Sequence, residues 1–109
     1  LESVLANLSA GVMVFDGARG LRSANPSAGR ILGVDLAGLE GIPLERWAER
    51  EPRLGALVEP LATMLAGGSA RMREGEIRIP GLRGEQLTLM AKVSGIGRSG
   101  EREFVVVFD

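Results

Sequence analysis

The hydrophobic pattern of the chain changes its period at Gly67-Gly68, and this change limits the fold more than any other feature of the sequence. Over residues 52–66 the apolar side chains recur at helical spacing, which predicts a helix. Pro60 lies inside that pattern and should kink the helix or begin a second one. Beyond the two glycines the pattern is that of three strands, predicted at 72–79, 85–93 and 101–109.

The first part of the chain has the pattern of a hairpin that leads into a short helix. Residues 12–15 are continuously apolar and residues 21–24 follow a glycine-containing turn, which predicts two antiparallel strands. Asn25-Pro26 predicts the start of a helix, because the proline fixes a helical φ and the asparagine side chain can cap the first amides. We expect this helix to end at Gly33 in a left-handed conformation.

The order of these elements predicts an α+β fold, in which a five-stranded antiparallel sheet carries helices on one face. Within the strands, Ile77 and Ile79 alternate with Glu76 and Arg78, so one face is predicted to be buried and the other exposed. The run 104–108 is apolar on both faces, so the last strand is expected to be central in the sheet.

An apolar stripe at the N-terminus predicts a short amphipathic helix over residues 1–10. Its members are Leu1, Val4, Leu5 and Leu8. The stripe can pack on the sheet of its own chain or on a second copy, and two turns of helix do not distinguish these possibilities. We therefore divide the chain into this helix, 1–10, and one domain over 11–109.

The composition excludes most catalytic and nucleic-acid-binding functions. The net charge is −1, with 13 basic and 14 acidic residues scattered along the chain, so no positive patch is expected for nucleic acid or a membrane surface. The chain has no Cys, His or Tyr, which removes disulfides, thiolate nucleophiles, Cys-based zinc sites and histidine bases. We therefore predict that this chain is not itself an enzyme and binds no metal.

Residues 95–100 match the dinucleotide pattern G-x-G-x-x-G. That motif requires a helix after the glycines to receive the phosphates, whereas a strand pattern follows here. We interpret the segment as a hairpin turn. A possible anion site is also discounted, because alternation places most of its arginines on an exposed sheet face; they are Arg71, Arg73, Arg78 and Arg83.

Large flexible apolar side chains leave two possibilities open for the interior. Four of them could line a small-molecule pocket between sheet and helices, namely Leu57, Met64, Met90 and Phe104. The other possibility, which we favour, is an ordinary packed core. No cofactor is predicted in either case.

Several of these segments, taken in order, resemble a PAS domain, the sensory module of bacterial signalling proteins. They are GVMVFD, LRSAN, NPSAGRILG, GIPLERW and FVVVFD, and together they span nearly the whole chain. LANLSAGVMVFD and NPSAGRILG are most similar to cytoplasmic PAS domains of nitrogen-regulation sensor histidine kinases of the NtrY type.

The resemblance implies a cytoplasmic input domain that dimerises and couples a membrane-anchored sensor to a kinase core in the same chain and to its response regulator. Direct contact with the membrane is not implied. It gives signalling roles to Asn25, to Gly33 and to Asp109, which stands where the link to the output begins in that family. The dimer interface would be the stripe Leu1, Val4, Leu5 and Leu8.

The absence of Cys and His limits what the resemblance carries over. A flavin photosensor of the cysteinyl-adduct type and a histidine-ligated haem are both excluded. The alternative to a ligand-free coupler is a small-molecule-binding PAS sensor of another signalling protein, such as a transcription regulator or a cyclic-dinucleotide enzyme.

Overall fold

The computed structural model describes residues 10–66, 73–96 and 103–109. Within these ranges the strands are β1 (Gly11–Asp16), β2 (Leu21–Ala24), β3 (Arg73–Pro80), β4 (Gln86–Ile96) and β5 (Glu103–Phe108). The α-helices are α1 (Pro26–Leu32), α2 (Trp47–Arg50) and α3 (Gly55–Ala66). Short 3-10 helices lie at Leu36–Leu39, Leu44–Arg46 and Pro52–Leu54.

The strands form one five-stranded antiparallel sheet in the order β2-β1-β5-β4-β3. The predicted α+β architecture is confirmed, and β5 occupies the central position that its apolar run predicts. Every residue of β1 pairs with β5, from Gly11 opposite Phe108 to Asp16 opposite Glu103. The beginning of the first strand and the end of the last therefore lie side by side at one end of the sheet.

The alternation of side chains assigns one face of the sheet to the core. Ile77 and Ile79 of β3 are buried, whereas Glu76 and Arg78 are exposed, as predicted. Leu89, Ala91 and Val93 of β4 continue the buried face. Helices pack on this face, and α3 packs on β3 more than on any other strand.

The centre of the domain is filled by side chains. Trp47 and Phe15 are fully buried, and their ring centroids lie 5.6 Å apart at a tilt of 31°. The indole N–H of Trp47 donates a hydrogen bond to the carbonyl of Ile42 at 3.0 Å, so its polar atom is satisfied inside the core. Leu32 and Leu44 are equally inaccessible to solvent.

Two helix predictions need adjustment. The segment predicted as a helix from 52 begins as the 3-10 helix Pro52–Leu54, and α3 starts at Gly55. Pro60 lies within α3, which runs through it without interruption, so the proline does not begin a second helix. It still removes one helical hydrogen bond, because it has no N–H to donate to the carbonyl of Ala56.

The glycine motif at 95–100 is not wholly a turn. β4 continues to Ile96, beyond its predicted end at 93, and Gly95 pairs with Phe104 of β5. A residue without a side chain fits opposite a large aromatic, which explains why the strand tolerates glycine there. The rest of the motif lies outside the described residues, as does the predicted N-terminal helix with Leu1, Val4, Leu5 and Leu8.

Candidate functional site

A buried asparagine joins the start of β1 to the start of α1. The side-chain Oδ1 of Asn25 accepts hydrogen bonds from the amides of Val12 at 2.9 Å and Ala28 at 3.0 Å. Its Nδ2 donates to the carbonyl of Ala10 at 3.0 Å, and its backbone N–H donates to the carbonyl of Val12 at 3.0 Å. One residue that is only 7% exposed therefore holds a strand and a helix together.

The local sequence explains why asparagine occupies this position. β2 pairs with β1 as far as Ala24 opposite Met13, and Pro26 then turns the chain into α1. Asn25 continues the hydrogen-bonding edge of β2 with a side-chain amide, which supplies both a donor and an acceptor. The same oxygen caps α1, as the sequence predicts.

Three elements meet closely beside this asparagine. A Cβ atom added at Gly11 would lie 2.7 Å from Cζ of Phe108 and 2.9 Å from Cα of Ala28. Because Gly11 has no side chain, the backbone of β1 can lie directly against the Phe108 ring of β5 and against the backbone of α1. Asp109 follows at once, and its carbonyl accepts a hydrogen bond from the amide of Met90 at 3.2 Å.

The opposite end of α1 is held by an arginine that the sequence analysis did not identify. Gly33 ends the helix with φ of 72°, as predicted. The Nη2 atom of Arg53 donates to the carbonyls of Leu32 and Gly33, each at 3.1 Å, and Nη1 donates to the carbonyl of Pro80 at 3.1 Å. The unpaired carbonyls at a helix end were the only sequence signal for such a partner.

The structure does not bring the four candidate pocket residues together. Leu57 and Phe104 lie in the packed core, and Met64 is half-buried beside it. Met90 is 50% exposed on the other face of the sheet, because its neighbours Leu89 and Ala91 face the helices. Leu57, Met64, Met90 and Phe104 therefore do not line one internal pocket, which was the less favoured of the two possibilities left open by the sequence.

Two grooves lie at the periphery of the domain. The first has a volume of about 600 Å³ and runs along α1, where Asn25, Gly33 and the exposed Leu82 contribute to its lining. The second has a volume of about 430 Å³ and lies between α3 and β3. The candidate residues Asn25 and Gly33 therefore share one groove, although they stand at opposite ends of a helix.

The charged groups form surface ion pairs rather than a reactive cluster. Arg22 pairs with Glu103 at 2.6 Å across the exposed side of the sheet. The hydrogen bond and the charge of Glu49 raise the pKa of the exposed Arg46 guanidinium, which simply stays protonated. Among residues 10–66, 73–96 and 103–109, no cluster of carboxylates has the arrangement of a metal site.

Comparison with solved structures finds PAS domains with the same fold. The chain is similar to the PAS domain of an HTR-like protein from Haloarcula marismortui, with a TM-score of 0.74 and 20% identity over 99% of this chain and 86% of that one. It is also similar to the PAS domain of nitrogen regulation protein NR(II) from Vibrio parahaemolyticus, with a TM-score of 0.67 and 18% identity over 99% and 94%.

A LOV protein has a similar fold. The chain is similar to the Rhodobacter sphaeroides LOV protein, with a TM-score of 0.70 and 13% identity over 99% of this chain and 62% of that one. At these identities the likeness shows the fold alone. No curated protein sequence matches the chain.

A family model gives the assignment that structural likeness alone does not. The model described as a PAS domain matches residues 1–65, which is more than half of the chain. The matched region includes β1, β2 and α1. It also includes Asn25 and its hydrogen-bond partners Ala10, Val12 and Ala28, which we call the Asn25 junction. The chain therefore belongs to the PAS domain family.

Proposed function

We propose that this PAS domain is the cytoplasmic input module of a two-component sensor histidine kinase and that it acts without a ligand, as a dimeric coupler. The observation that carries the proposal is the pairing of β1 with β5 at the Asn25 junction. A displacement of the chain before Ala10 reaches the end of β5 through one hydrogen-bonded pair of strands. Two packings of this junction would provide the two signalling states.

The packed interior supports a ligand-free mechanism. Trp47, Phe15, Leu32 and Leu44 fill the space between sheet and helices with apolar side chains. An interior of this kind transmits strain, because its side chains have few voids into which they can relax. A signal therefore has no need to enter as a small molecule.

The assignment to a histidine kinase rests on similarity to solved structures and on sequence resemblance. One structural neighbour is the PAS domain of a nitrogen regulation protein, and another is described as a PAS domain from a two-component sensor histidine kinase. The NtrY-type resemblance of residues 5–16 and 25–33 points the same way. The parent would be membrane-anchored, and its kinase core would phosphorylate a response regulator.

The reading frame that continues beyond Asp109 tests this context. We expect it to encode, within about 50 residues, a helical segment with a phosphorylatable histidine. An output domain of another class at that position would contradict the kinase assignment.

Hydrogen exchange tests the coupling in the chain itself. Asn25→Ala should increase amide exchange at Val106 and Phe108 of β5, although both residues are far from Asn25 in the sequence. Ser23→Ala is the matched control, because Ser23 is exposed on the neighbouring strand β2. Faster exchange confined to residues 24–28 would show that the junction transmits nothing to the last strand.

Sedimentation tests the dimer. Leu5→Glu should convert a dimer into a monomer with an unchanged circular dichroism spectrum, because a charge in an apolar interface is costly. Ala6→Glu makes the same change of charge off the stripe and should remain dimeric. An unfolded Leu5→Glu chain would place the stripe of Leu1, Val4, Leu5 and Leu8 in the core of its own domain, and a wild-type monomer would refute the dimer.

A small-molecule sensor is the alternative, and the groove of about 600 Å³ along α1 is the observation that favours it. Its volume is within the usual range for ligand clefts, and both Asn25 and Gly33 line it. Native mass spectrometry of protein purified from its source host separates the two functions. A stoichiometric adduct supports the sensor, whereas a mass without any adduct supports the coupler.

A further inference from the structure

β3 is an edge strand of the sheet, and the direction of its backbone groups can be read from its hydrogen bonds. The amide of Met90 donates to Asp109 of β5, so Met90 points away from β3. Its partner in β3 is Glu76, whose N–H and C=O therefore point outward. By alternation, the same holds for Glu74 and Arg78.

Two further hydrogen bonds give the same assignment. Gly81 donates to the carbonyl of Glu85 at 2.6 Å, which makes this the hydrogen-bonded pair that closes the hairpin. One step back along β3, Pro80 must then point outward, and its carbonyl accepts the hydrogen bond from Arg53 at 3.1 Å. Hydrogen bonds at both ends of β3 therefore agree on which of its residues point their backbone groups outward.

The open part of this edge is short and well defined. Pro80 has no N–H and its carbonyl is occupied by Arg53, so the edge is closed at that end. From 74 to 78, the outward N–H and C=O groups of Glu74, Glu76 and Arg78 have no backbone partner among the described residues. A segment of about five extended residues would satisfy them.

A groove runs beside this open edge. It lies between α3 and β3 and has a volume of about 430 Å³. Its apolar lining includes Ala56, Pro60, Met64 and Ile77, and its two charged lining residues, Glu59 and Glu76, are both acidic. A strand added to β3 would point alternate side chains into this groove and the others to the exposed face of the sheet.

A second copy of the chain fits this edge poorly. Paired strands lie about 4.8 Å apart, whereas packed helices require about 8–10 Å between their axes. α3 packs mainly on β3, so two edges paired about a twofold axis would bring two copies of α3 into collision. A lone extended segment carries no helix and avoids this conflict.

We propose that the open edge of β3 and the groove beneath α3 form a docking site for an extended, basic segment of a partner protein, which binds by strand addition. Small apolar residues of the partner would enter the groove beside Ala56 and Met64. Glu76 already pairs with Arg78 at 2.9 Å, so a basic residue of the partner would stand opposite Glu74 on the exposed face, where a cross-strand charge pair stabilises a sheet. This site is separate from the Asn25 junction and does not depend on the function proposed for it.

In the test, a capped peptide, Lys-Val-Lys-Val-Lys, is added to the complete chain, and its binding is monitored by nuclear magnetic resonance. Addition of the peptide should shift the amide signals of Glu74, Glu76 and Arg78 and protect them from exchange, because they gain hydrogen bonds. The same peptide with all five backbone nitrogens methylated cannot donate a hydrogen bond to the edge in either strand orientation and should not bind. This comparison uses the unaltered protein, so it stands whether or not any variant folds.

Glu76→Pro provides the matched change in the protein. It removes an outward N–H without breaking the ladder to β4, and proline is tolerated at edge positions of this kind. We expect an affinity loss of about tenfold or more, from the lost hydrogen bond and the steric bulk of the ring. Glu76→Gln keeps the backbone donor and should weaken binding less, mainly at low salt.

Several outcomes would overturn the proposal. The site does not exist if the peptide causes no shift at millimolar concentration, if the N-methylated peptide binds equally well, or if Glu76→Pro leaves the affinity unchanged. A chain whose self-association is abolished by Glu76→Pro would assign the edge to a second copy instead.

Discussion

The Asn25 junction and the open edge of β3 solve the same problem in opposite ways. At each place a strand has backbone groups that its neighbour in the sheet does not pair. At the junction, Asn25 supplies a side-chain partner to Ala10, Val12 and Ala28. At the β3 edge, the outward groups of Glu74 and Glu76 find no such partner within the described part of the chain.

The Asn25 junction has a fixed set of partners, whereas the β3 edge can accept different ones. A buried polar group without a partner is costly, so the hydrogen bonds of Asn25 must be satisfied in every packing of the junction, and three contacting elements hold them in place. An edge exposed to water keeps its hydrogen bonds with solvent and can exchange them for a partner at little cost. The first region suits transmission of strain, and the second suits reversible binding.

The largest expected effect is at the junction itself. Asn25→Ala leaves the amides of Val12 and Ala28 and the carbonyl of Ala10 without their partner, and we expect a loss of about 3 kcal/mol in the free energy of unfolding. Asn25→Asp keeps the acceptor and should lose less. Urea denaturation measures both changes, and equal losses would show that the acceptor contributes nothing.

A smaller loss is expected at the close contact beside it. Gly11→Ala places a Cβ atom 2.9 Å from the backbone of Ala28, so α1 or the sheet must shift. We expect a loss of about 2 kcal/mol from this overpacking. Gly38→Ala is the matched control, because no atom lies within 4 Å of the added carbon. If the two alanine variants were equally stable in urea, the junction would be looser than described.

A loss of stability of about the same size or smaller is expected at Arg53, which joins the helices to the sheet. Arg53→Met removes three hydrogen bonds to the carbonyls of Leu32, Gly33 and Pro80 and keeps a long apolar side chain. We expect a loss of about 1–2 kcal/mol, since these carbonyls can partly turn to water. Arg46→Met is the control, as Arg46 only pairs with exposed Glu49. Equal melting temperatures would contradict a bridging role.

The smallest effect is expected at the open edge. Glu76→Pro should change the free energy of unfolding by about 0.5 kcal/mol, since the lost N–H has no partner in the sheet. Ile77→Pro is the contrasting variant, because the N–H of Ile77 belongs to the ladder with Leu89 and its side chain is buried. Similar losses for both variants would refute the assignment of Glu76 as outward-pointing and Ile77 as paired with β4.

Much of the fold follows from local patterns. The alternation of Ile77 and Ile79 with Glu76 and Arg78 predicts the buried face of β3, and the apolar run at 104–108 predicts a central strand. The same alternation predicts that Met90 faces away from the helices, since Leu89 and Ala91 face toward them. The possibility of an internal pocket that includes Met90 is therefore inconsistent with the pattern of β4.

Other features have no local signature. The Asn25-Pro26 pair predicts a capped helix, but the bonds of Asn25 to Ala10 and Val12 depend on β1 lying beside it. Arg53 looks like any exposed arginine in the sequence, whereas its guanidinium reaches carbonyls 20 or more positions away. Gly95 has the pattern of a turn, and only the pairing with Phe104 keeps it in β4.

The order of the elements, the buried face of each strand, the cap and the stop of α1, and the family could all be predicted from the sequence. These features depend on periodicities and on the conformational limits of proline and glycine, which act over a few residues. The tertiary structure alone decided which strand became the open edge, where Arg53 binds, and that the first and last strands share the Asn25 end of the sheet. Such pairings join residues far apart in the chain, so their energies appear only once the whole sheet has assembled.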